Sequence, residues 1–555
     1  MKDFKDKVIY QIYPKSFYDS NNDGYGDIKG ITEKIPYLSK LGIDMVWISP
    51  FFKSPQNDNG YDISDYYQID ENYGTMKDVE EMIKVFKDHN IDLMFDMVFN
   101  HTSIDHQWFQ KALKGDKKYM DYYYIREPKE NGDLPNNWTS KFGGPAWAPF
   151  GDTGKYYLCL YDKTQADLNW HNEELRKELY KIVNFWIDKG IKGFRFDVLN
   201  VIGKNPNLED SNGNIDDEKK LYTDTPIVHK FIEEMNEESF GKYEDIITVG
   251  EMSSTNIENS ILYSNMNGKE LSMIFSFHHL KVDYENGEKW TKGIFNFKEL
   301  KDILFNWQLG IEKGNAWMAL FLNNHDQPRA NSRFGNVKEY NYEVSTMLAQ
   351  TIHFMRGTPY IYQGEEIGMT NPNFTKIEEF KDIESINAYK ELREKGLDEI
   401  SAMEIIRQKS RDNSRTPMQW NSEKYGGFST VKPWIDLSDN YKNINVENNL
   451  EDDNSIFYYY KKLIDLRKNK KVISHGTFIP ILEENNNILG YIREYKDEKL
   501  ICLNNFRDFQ VEVDISSYIN NINEYKLLLS NYENIEIKEK FKLNPYQSIA
   551  LIREI

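Results

Sequence analysis

The segment GFRFD, at residues 193–197, contains an arginine and an aspartate two positions apart. In a β-strand, residues two apart point to the same face, so the side chains of Arg195 and Asp197 are predicted to lie side by side. An arginine beside a carboxylate keeps that carboxylate ionised at neutral pH. An ionised carboxylate can act as a nucleophile in covalent catalysis, and Asp197 is our candidate for that function.

A second carboxyl group, Glu251, follows the apolar run IITVG. A partly desolvated glutamic acid can keep its proton and serve as a general acid. Two carboxyl groups on adjacent strands can lie about 5 Å apart, which is the separation found in retaining glycoside hydrolysis. Asp197 and Glu251 therefore predict a hydrolase that cleaves glycosidic bonds.

The elements that must position these residues alternate between short apolar runs and segments with helical periodicity. Runs such as MVWIS and LMFDMVFN are almost continuously apolar, which is typical of parallel strands buried on both faces. Eight strands with intervening helices indicate an α/β protein built on a (β/α)₈ barrel. The strands are predicted at 8–13, 45–49, 93–100, 193–199, 246–251, 273–278, 318–323 and 360–363, and the helices at 31–40, 76–89, 173–189, 228–238, 300–307 and 344–355.

In such a barrel the active site lies at the carboxyl ends of the strands. Besides the residues above, His101 and the pair His325-Asp326 follow predicted strands. Any one of these could be a solvated rim residue or a helix cap. Three acids, two histidines and an arginine, all after strands, favour a catalytic site instead.

Two parts of the chain do not follow the alternation. Residues 102–171 are rich in Trp, Tyr, Gly and Pro and indicate a subdomain inserted after the third strand. Residues 474–555 contain short strands and turns, which predicts a C-terminal antiparallel β-sandwich domain. The barrel is then formed by residues 1–101 and 172–473.

The composition excludes several classes of protein. With 69 Lys and Arg against 89 Asp and Glu, the formal net charge is −20, which argues against a nucleic-acid partner. No apolar run is long enough to span a membrane, and the N-terminus lacks the apolar region of a signal peptide. The two cysteines lack metal-type spacing. We therefore expect a cytoplasmic protein without an organic cofactor; a monomer is compatible with the sequence, which leaves the oligomeric state open.

The segments DMVFNH, GFRFDVLN, VGEM and NNHDQ occur in that order, with QADLN as a further one. This ordered set resembles the signature segments of the α-amylase family of glycoside hydrolases, over essentially the whole chain. The resemblance implies that Asp197 is the nucleophile and Glu251 the general acid/base. It also implies that Asp326 is a third carboxylate, which holds sugar hydroxyls and stabilises the transition state. The residues that would line the glucose subsite are His101, Arg195 and His325.

Further matches point to the exo-acting branch of this family. QNDNGYDI contains Asp58 and Tyr61, and SRDNSRTPMQW contains Arg411. The resemblance implies that Asp58 and Arg411 hold the terminal glucose and that Tyr61 stacks on its ring. Val198, just after the predicted nucleophile, matches members that cut α-1,6 or other non-1,4 bonds.

The loop DSNNDGYGD has oxygen-bearing side chains at alternate positions, like the start of an EF-hand loop. Its twelfth position is Gly30 instead of the glutamate that an EF-hand requires, so the EF-hand interpretation fails. In the resembled family the loop after strand one holds a structural Ca²⁺, although another divalent metal or a metal-free turn are alternatives. The implied ligands are the side chains of Asp19, Asn21, Asp23 and Asp27 and the carbonyl of Tyr25.

The stretch FHHLKVDYENGEKW gathers histidines and lysines in an acidic chain. Together with LYTDTP and VGEMSST, it resembles the branch of the family that hydrolyses trehalose 6-phosphate. A phosphorylated disaccharide is nearly a dianion, and lysine or histidine donors beside the pocket would bind and select it. Lys281 is the first candidate for this contact and Lys292 the second, with His279 as a contributor.

Two alternatives follow from the same residues. An oligo-1,6-glucosidase would use the same catalytic groups on isomaltose-type sugars, although related enzymes of that kind have an acidic stretch where this chain has lysines. The non-catalytic relatives, which are the heavy chains of amino-acid transporters, share the fold as interaction subunits. Those carry a membrane anchor and generally lack the intact set of carboxylates that this chain has at Asp197, Glu251 and Asp326.

Overall fold

The computed structural model of the chain describes residues 4–554. Within that range, eight parallel strands form one sheet in the spatial order β6-β5-β4-β3-β2-β1-β8-β7. This is the strand order of a (β/α)₈ barrel, as the sequence predicted. The strands, numbered along the chain, are β1 Ile9–Ile12, β2 Met45–Ile48, β3 Asp92–Met97, β4 Gly193–Phe196, β5 Ile247–Glu251, β6 Met273–Phe275, β7 Ala319–Leu320 and β8 Thr358–Tyr362.

Helices separate these strands along the chain, and most begin at a residue suited to cap them. Thr75 and Asp78 form a capping box at the start of Met76–Asp88, and the Asn172 side chain accepts a hydrogen bond at the start of Glu173–Asp188. The predicted helix at 31–40 is two helices, because a new helix begins at Ile35 with Pro36 in its first turn, where the missing N–H of proline is tolerated. The helices are Ile28–Glu33, Ile35–Leu41, Met76–Asp88, Glu173–Asp188, Pro226–Glu238, Ile257–Tyr263, Phe297–Lys313 and Val337–His353.

The described chain divides into two compact units. One comprises Trp47–Phe277 and Gly314–Trp317; the other comprises residues 4–46, His278–Lys313 and residues 318–554. In the first unit the ladder β3-β4-β5-β6 is parallel throughout. In the second unit β8 pairs with both β1 and β7.

The stretch after β3 contains the irregular excursion that the sequence indicated. His101–Ser103 pairs antiparallel with Gln165–Asp167, so that Asp167 lies opposite His101. The strands Ile125–Arg126, Tyr156–Leu158 and Trp147–Pro149 form a small antiparallel sheet. The bounds of this subdomain, 102–171, stay a prediction.

The last part of the chain is an antiparallel β domain, as predicted. Its larger sheet has the order Thr477–Ile481, Ile488–Tyr495, Glu498–Asn505, Ser548–Arg553, Lys526–Ser530. Val511–Asp514 pairs with Lys540–Leu543 in a separate ladder. A cluster of buried aliphatic side chains, among them Ile492, Ile501, Leu503, Val513, Leu543 and Leu551, forms its core.

Some boundaries differ from the prediction. β7 covers only Ala319–Leu320, and β6 ends at Phe275, after which His278–Leu280 form a short 3₁₀ helix. After β8 the chain forms the helices Ile383–Glu394 and Glu399–Lys409, which the sequence analysis did not predict. No helix within residues 4–554 is long and apolar enough to cross a membrane.

Candidate active site

A buried arginine joins the predicted catalytic carboxyl groups. Arg195 lies on β4 and pairs in register with Asp96 on β3. Its Nη1 donates to Asp96 Oδ1 at 2.7 Å and to Asp197 Oδ1 at 2.8 Å, and its Nη2 contacts the carboxylate of Glu251. The side-by-side placement of Arg195 and Asp197 that their spacing predicted is therefore present. One guanidinium therefore contacts the carboxyl groups of both Asp197 and Glu251.

Asp96 is the partner of Arg195 that sequence reasoning missed. Burial raises the pKa of its carboxyl group, and Arg195 opposes that shift, as do hydrogen bonds from Tyr61 Oη at 3.0 Å and Trp47 Nε1 at 3.1 Å. Burial alone would lower the pKa of Arg195, but Asp96 and Asp197 raise it above its ordinary value. Arg195 is therefore a permanent cation at the end of β4.

The backbone directly after Asp197 turns sharply. Val198 has φ 35° and ψ 44°, a left-handed conformation that is rare for a β-branched residue. The turn leads into the short 3₁₀ helix Leu199–Val201. About a tenth of the Asp197 side chain (11%) and 15% of the Glu251 side chain are exposed, so both carboxyl groups can meet a ligand yet are largely desolvated.

The predicted sugar-binding residues of the first unit form a hydrogen-bonded group. His101 Nε2 lies 3.1 Å from the Tyr61 carbonyl oxygen, and Gln165 Nε2 donates to Asp58 Oδ2 at 3.1 Å. Burial lowers the pKa of His101, although the negative charge of Asp197 opposes the shift. His101 is therefore a neutral hydrogen-bonding group near pH 7. Asp58, Tyr61 and His101 are brought together, with Gln165 of the QADLN segment as an additional member.

The second unit holds the third predicted carboxylate. Asp326 Oδ1 accepts from Arg411 Nη1 at 3.3 Å and from Arg415 Nη2 at 2.7 Å, and its Oδ2 lies 3.1 Å from His325 Nε2. Burial would raise the pKa of Asp326, but His325, Arg411 and Arg415 bring it well below its usual range. Asp326 is therefore ionised at neutral pH. Sequence reasoning missed Arg415, which lies four residues after Arg411.

Both lysines that were predicted to contact the phosphate lie on the surface of the segment after β6. Lys281 is exposed, and its backbone N–H donates to the His278 carbonyl at 3.1 Å. Lys292 is also exposed and pairs with Glu404 at 2.6 Å.

His279, which was predicted to contribute to phosphate binding, carries no positive charge in this structure, and its contribution stays a prediction. Its ring is buried, packs edge-on against Phe321, and has Nε2 2.7 Å from the Phe321 carbonyl oxygen. Burial lowers the pKa of His279 to about 4, so the ring is neutral near pH 7. His279 holds backbone in place and supplies no charge for a phosphate.

The loop at residues 19–27 is closed by hydrogen bonds to its acidic side chains. Asp19 accepts from the N–H groups of Asn22 and Gly24, at 2.7 and 2.8 Å, and Asp27 accepts from Gly30 N at 2.7 Å. The five predicted ligands all present oxygen atoms, which suits Ca²⁺. Within residues 4–554 no three His, Cys, Asp or Glu side chains are arranged as a metal centre, and two of the five predicted ligands are an amide and a backbone carbonyl. Metal binding by this loop stays a prediction.

A barrel with two carboxyl groups on one buried arginine at its strand ends defines a glycoside hydrolase. Residues 11–476 match the protein family described as "Alpha amylase, catalytic domain". Residues 479–549 match the family described as "Maltogenic Amylase, C-terminal domain". The chain belongs to the alpha-amylase family, which confirms the resemblance of its signature segments.

Three relatives show how far the similarity extends. The chain is 49% identical over 553 residues to a trehalose-6-phosphate hydrolase of Bacillus subtilis, covering 99% of this chain and 97% of that one. It is 47% identical over 558 residues to an oligo-1,6-glucosidase of Bacillus cereus, covering 99% and 98%. The crystal structure of Bacillus licheniformis trehalose-6-phosphate hydrolase is similar with a TM-score of 0.96 at 49% identity, with both chains covered completely.

Proposed function

We propose that this chain is a retaining, exo-acting α-glucoside hydrolase that cleaves trehalose 6-phosphate to glucose and glucose 6-phosphate. The observation that carries the proposal is the 49% identity, over nearly the whole chain, to a trehalose-6-phosphate hydrolase. The lysines after β6 agree with it, because a chain with a net charge of −20 needs local positive charge to bind a phosphorylated sugar.

The proposed reaction has two displacements at the anomeric carbon. In the first, Asp197 attacks this carbon while Glu251 protonates the bridging oxygen, so that glucose 6-phosphate leaves and a glucosyl ester of Asp197 forms. In the second, Glu251 removes a proton from water, and the water oxygen attacks the same carbon. Glucose is released with its original configuration, Asp197 returns as a carboxylate, and Glu251 is again protonated.

Arg195 has two effects in this scheme. Its Nη1 donates to Asp197 Oδ1 and positions the nucleophile, and its Nη2 contacts the carboxyl group of Glu251 and positions the general acid/base. Glu251 acts as the acid in the first displacement, so it must hold a proton when substrate binds, and the second displacement of each turnover returns that proton.

The remaining groups bind the sugar. Ionised Asp326 accepts hydrogen bonds from sugar hydroxyls and opposes the positive charge that develops on the ring. Asp58 and Arg411 hold the terminal glucose, and Tyr61 stacks on its apolar face. The exposed Lys281 contacts the phosphate, with Lys292 as the second donor.

The two candidate substrates can be distinguished by comparing hydrolysis of trehalose 6-phosphate, trehalose and isomaltose at equal concentration. We expect trehalose 6-phosphate to be cleaved at least tenfold faster than the neutral disaccharides, because one charge-assisted contact contributes about 1.5–3 kcal/mol. Preference for isomaltose would replace the proposal with an oligo-1,6-glucosidase, which the 47% identity to the Bacillus cereus enzyme and Val198 favour. Hydrolysis of none of them would refute both.

We place the enzyme in the cytoplasm. Cys159 and Cys502 are both free and buried, which agrees with a reducing compartment. Fractionation of the source cells followed by assay of each fraction tests this, and activity confined to the exterior would contradict it.

The loop at residues 19–27 is proposed to bind Ca²⁺ as a stabilising ion, since hydrolysis by two carboxyl groups needs no metal. A ligand at a hundred times its dissociation constant stabilises the folded state by about 2.7 kcal/mol. Chelation should therefore lower the melting temperature by several degrees, with little loss of activity at moderate temperature. The measurement is a thermal melt before and after removal of the metal.

Asp23→Asn provides the control for this experiment. Asp23 is an exposed member of the loop whose Oδ1 accepts from Tyr25 N at 2.9 Å, so its loss leaves the fold intact while removing a charged ligand. The melting temperature of this variant should respond weakly to Ca²⁺. A wild-type melting temperature that does not change after complete removal of the metal would show that the loop is a metal-free turn.

A further inference from the structure

The buried side chain of Asn200 joins the loop after β4 to the loop after β5. Asn200 is three residues after Asp197, and none of its surface is exposed. Its Nδ2 donates to the Ser253 carbonyl oxygen at 2.8 Å, and its Oδ1 accepts from the Ser253 N–H at 2.9 Å. Since Ser253 is two residues after Glu251, one amide connects the chain beside the nucleophile to the chain beside the general acid/base.

Asp224, in the segment LYTDTP, holds this amide in its orientation. Its Oδ1 accepts from Asn200 Nδ2 at 2.8 Å, and its own N–H donates to the Asn200 carbonyl oxygen at 3.0 Å. Its carboxylate also accepts from Tyr263 Oη at 2.9 Å and from Asn259 Nδ2 at 3.1 Å. Because a carboxylate only accepts hydrogen bonds, Asp224 draws the NH₂ group of Asn200 toward itself and leaves Oδ1 of Asn200 for the Ser253 N–H.

The backbones that carry the two catalytic carboxyl groups are held differently. The Asp197 N–H donates to a carbonyl oxygen of β3 at 3.0 Å, which fixes the nucleophile to the barrel. Directly after Glu251, the Met252 N–H reaches a carbonyl oxygen of β6 only at 3.4 Å. Ser254 follows with φ 56°, a left-handed conformation that is uncommon outside glycine and persists where surrounding contacts hold it. The Asn200 amide supplies two such contacts one residue before Ser254.

We propose that Asn200 is a positioning residue for Glu251, and that Asp224 acts through Asn200 by fixing the orientation of its amide. This deepens the proposed function and rests on its assignment of Asp197 as nucleophile and Glu251 as general acid/base. Loss of the amide frees the loop after β5, so that Glu251 moves away from the bridging oxygen, while Asp197 keeps its place on the barrel. A displacement of about 1 Å at a reacting group can lower the rate about a hundredfold.

The experiment measures kcat/KM for aryl α-glucosides whose leaving groups differ in basicity. The weakly basic 2,4-dinitrophenolate leaves without being protonated, whereas phenolate needs a proton from Glu251. In Asn200→Ala, kcat/KM should fall about a hundredfold for phenyl α-glucoside and less than about tenfold for 2,4-dinitrophenyl α-glucoside. A folding defect would lower both values equally, because it reduces only the amount of active enzyme.

Asp224→Gly tests the second half of the proposal. Asp224 has φ 53°, so glycine removes the carboxylate without adding backbone strain. This variant should lose about tenfold in kcat/KM on phenyl α-glucoside and much less on the dinitrophenyl glucoside. The double variant should be no worse than Asn200→Ala alone, because Asp224 acts through Asn200. Asn131→Ala removes an exposed contact of the same type, from Nδ2 to Asp133 Oδ2 at 2.6 Å, and should behave like the wild type.

Three results would overturn the inference. Equal losses for both leaving groups would show that Asn200 supports the fold or the nucleophile instead of Glu251, and no loss would show that the loop after β5 keeps its place without the amide. Additive losses in the double variant would show that Asp224 acts independently of Asn200. Should Asn200→Ala fail to fold, the comparison of leaving groups with Asp224→Gly decides. Because aryl glucosides carry no phosphate, an enzyme inactive on trehalose 6-phosphate would refute the proposed substrate and leave this test standing.

Discussion

Asp197→Asn is expected to lower turnover by a factor of about 10⁴ or more while leaving the fold unchanged. An amide cannot form the glucosyl ester, and no other group replaces the nucleophile. Asparagine keeps the shape of the side chain and can still accept a hydrogen bond from Arg195, so the barrel should retain its melting temperature. The measurement is the initial rate with an aryl α-glucoside, combined with a thermal melt.

Two further variants make this test specific. Asp245→Asn makes the same change in an exposed pair with Lys192 and should retain full activity. Asp197→Gly opens space beside the anomeric carbon, so that azide can displace the leaving group directly. The product should be the β-glucosyl azide, because a single displacement inverts the configuration. Substantial hydrolysis by Asp197→Asn, with deamidation and wild-type contamination excluded, would refute the assignment of the nucleophile.

The fold could be predicted well where burial leaves a simple pattern. The strands of a parallel barrel are covered on both faces, so segments such as Met45–Ile48 and Asp92–Met97 are apolar almost throughout. The ends of strands were less predictable. β7 covers only Ala319–Leu320, although the apolar run that predicted it extends to residue 322.

The helices Ile383–Glu394 and Glu399–Lys409 escaped prediction because they are rich in charged residues, so a periodic apolar face is hard to see. A local signal was nevertheless present. Asp382 and Asp398 each stand three residues before a serine, and each side chain accepts from the backbone N–H of that serine as an N-cap. The position of capping residues would have indicated both helices.

The individual residues of the candidate site could be predicted from the sequence, but the contacts between their side chains could not. Asp96 was visible as a lone acid within LMFDMVFN, and a buried acid needs a partner. That partner, Arg195, lies 99 residues away along the chain, so only the pairing of β3 with β4 reveals it. In the same way, Asn200 and Ser253 are 53 residues apart, and nothing in the local sequence of either one identifies their contact.

The structure adds the environment of each phosphate-binding candidate. The sequence analysis had ranked Lys281 first and Lys292 second, with His279 as a contributor. Burial lowers the pKa of His279 and leaves its ring neutral, although the hydrogen bond to the Phe321 carbonyl opposes that shift, and Lys292 forms an ion pair with Glu404. The exposed Lys281 directly follows the 3₁₀ helix His278–Leu280.

Lys281→Ala is expected to lower kcat/KM for trehalose 6-phosphate by about ten- to a hundredfold, with little effect on a neutral aryl α-glucoside. A charge-assisted contact with phosphate contributes roughly 1.5–3 kcal/mol, and the aryl glucoside fills the glucose site without presenting phosphate. The backbone N–H of residue 281 still donates to His278 in the variant, so the turn should persist. The measurement is kcat/KM for both substrates with the wild type and the variant.

Two further comparisons make this experiment more specific, namely added salt and a variant that keeps the positive charge. Added salt should weaken the wild-type preference for the phosphorylated sugar, because screening reduces attraction between exposed charges, and the variant should respond less. Lys281→Arg keeps the charge and should retain most of the preference. Equal losses on both substrates would show that Lys281 supports the segment after β6 instead of binding phosphate. The lysines would then no longer argue for a phosphorylated substrate, and hydrolysis of isomaltose-type sugars would become the better explanation of this site.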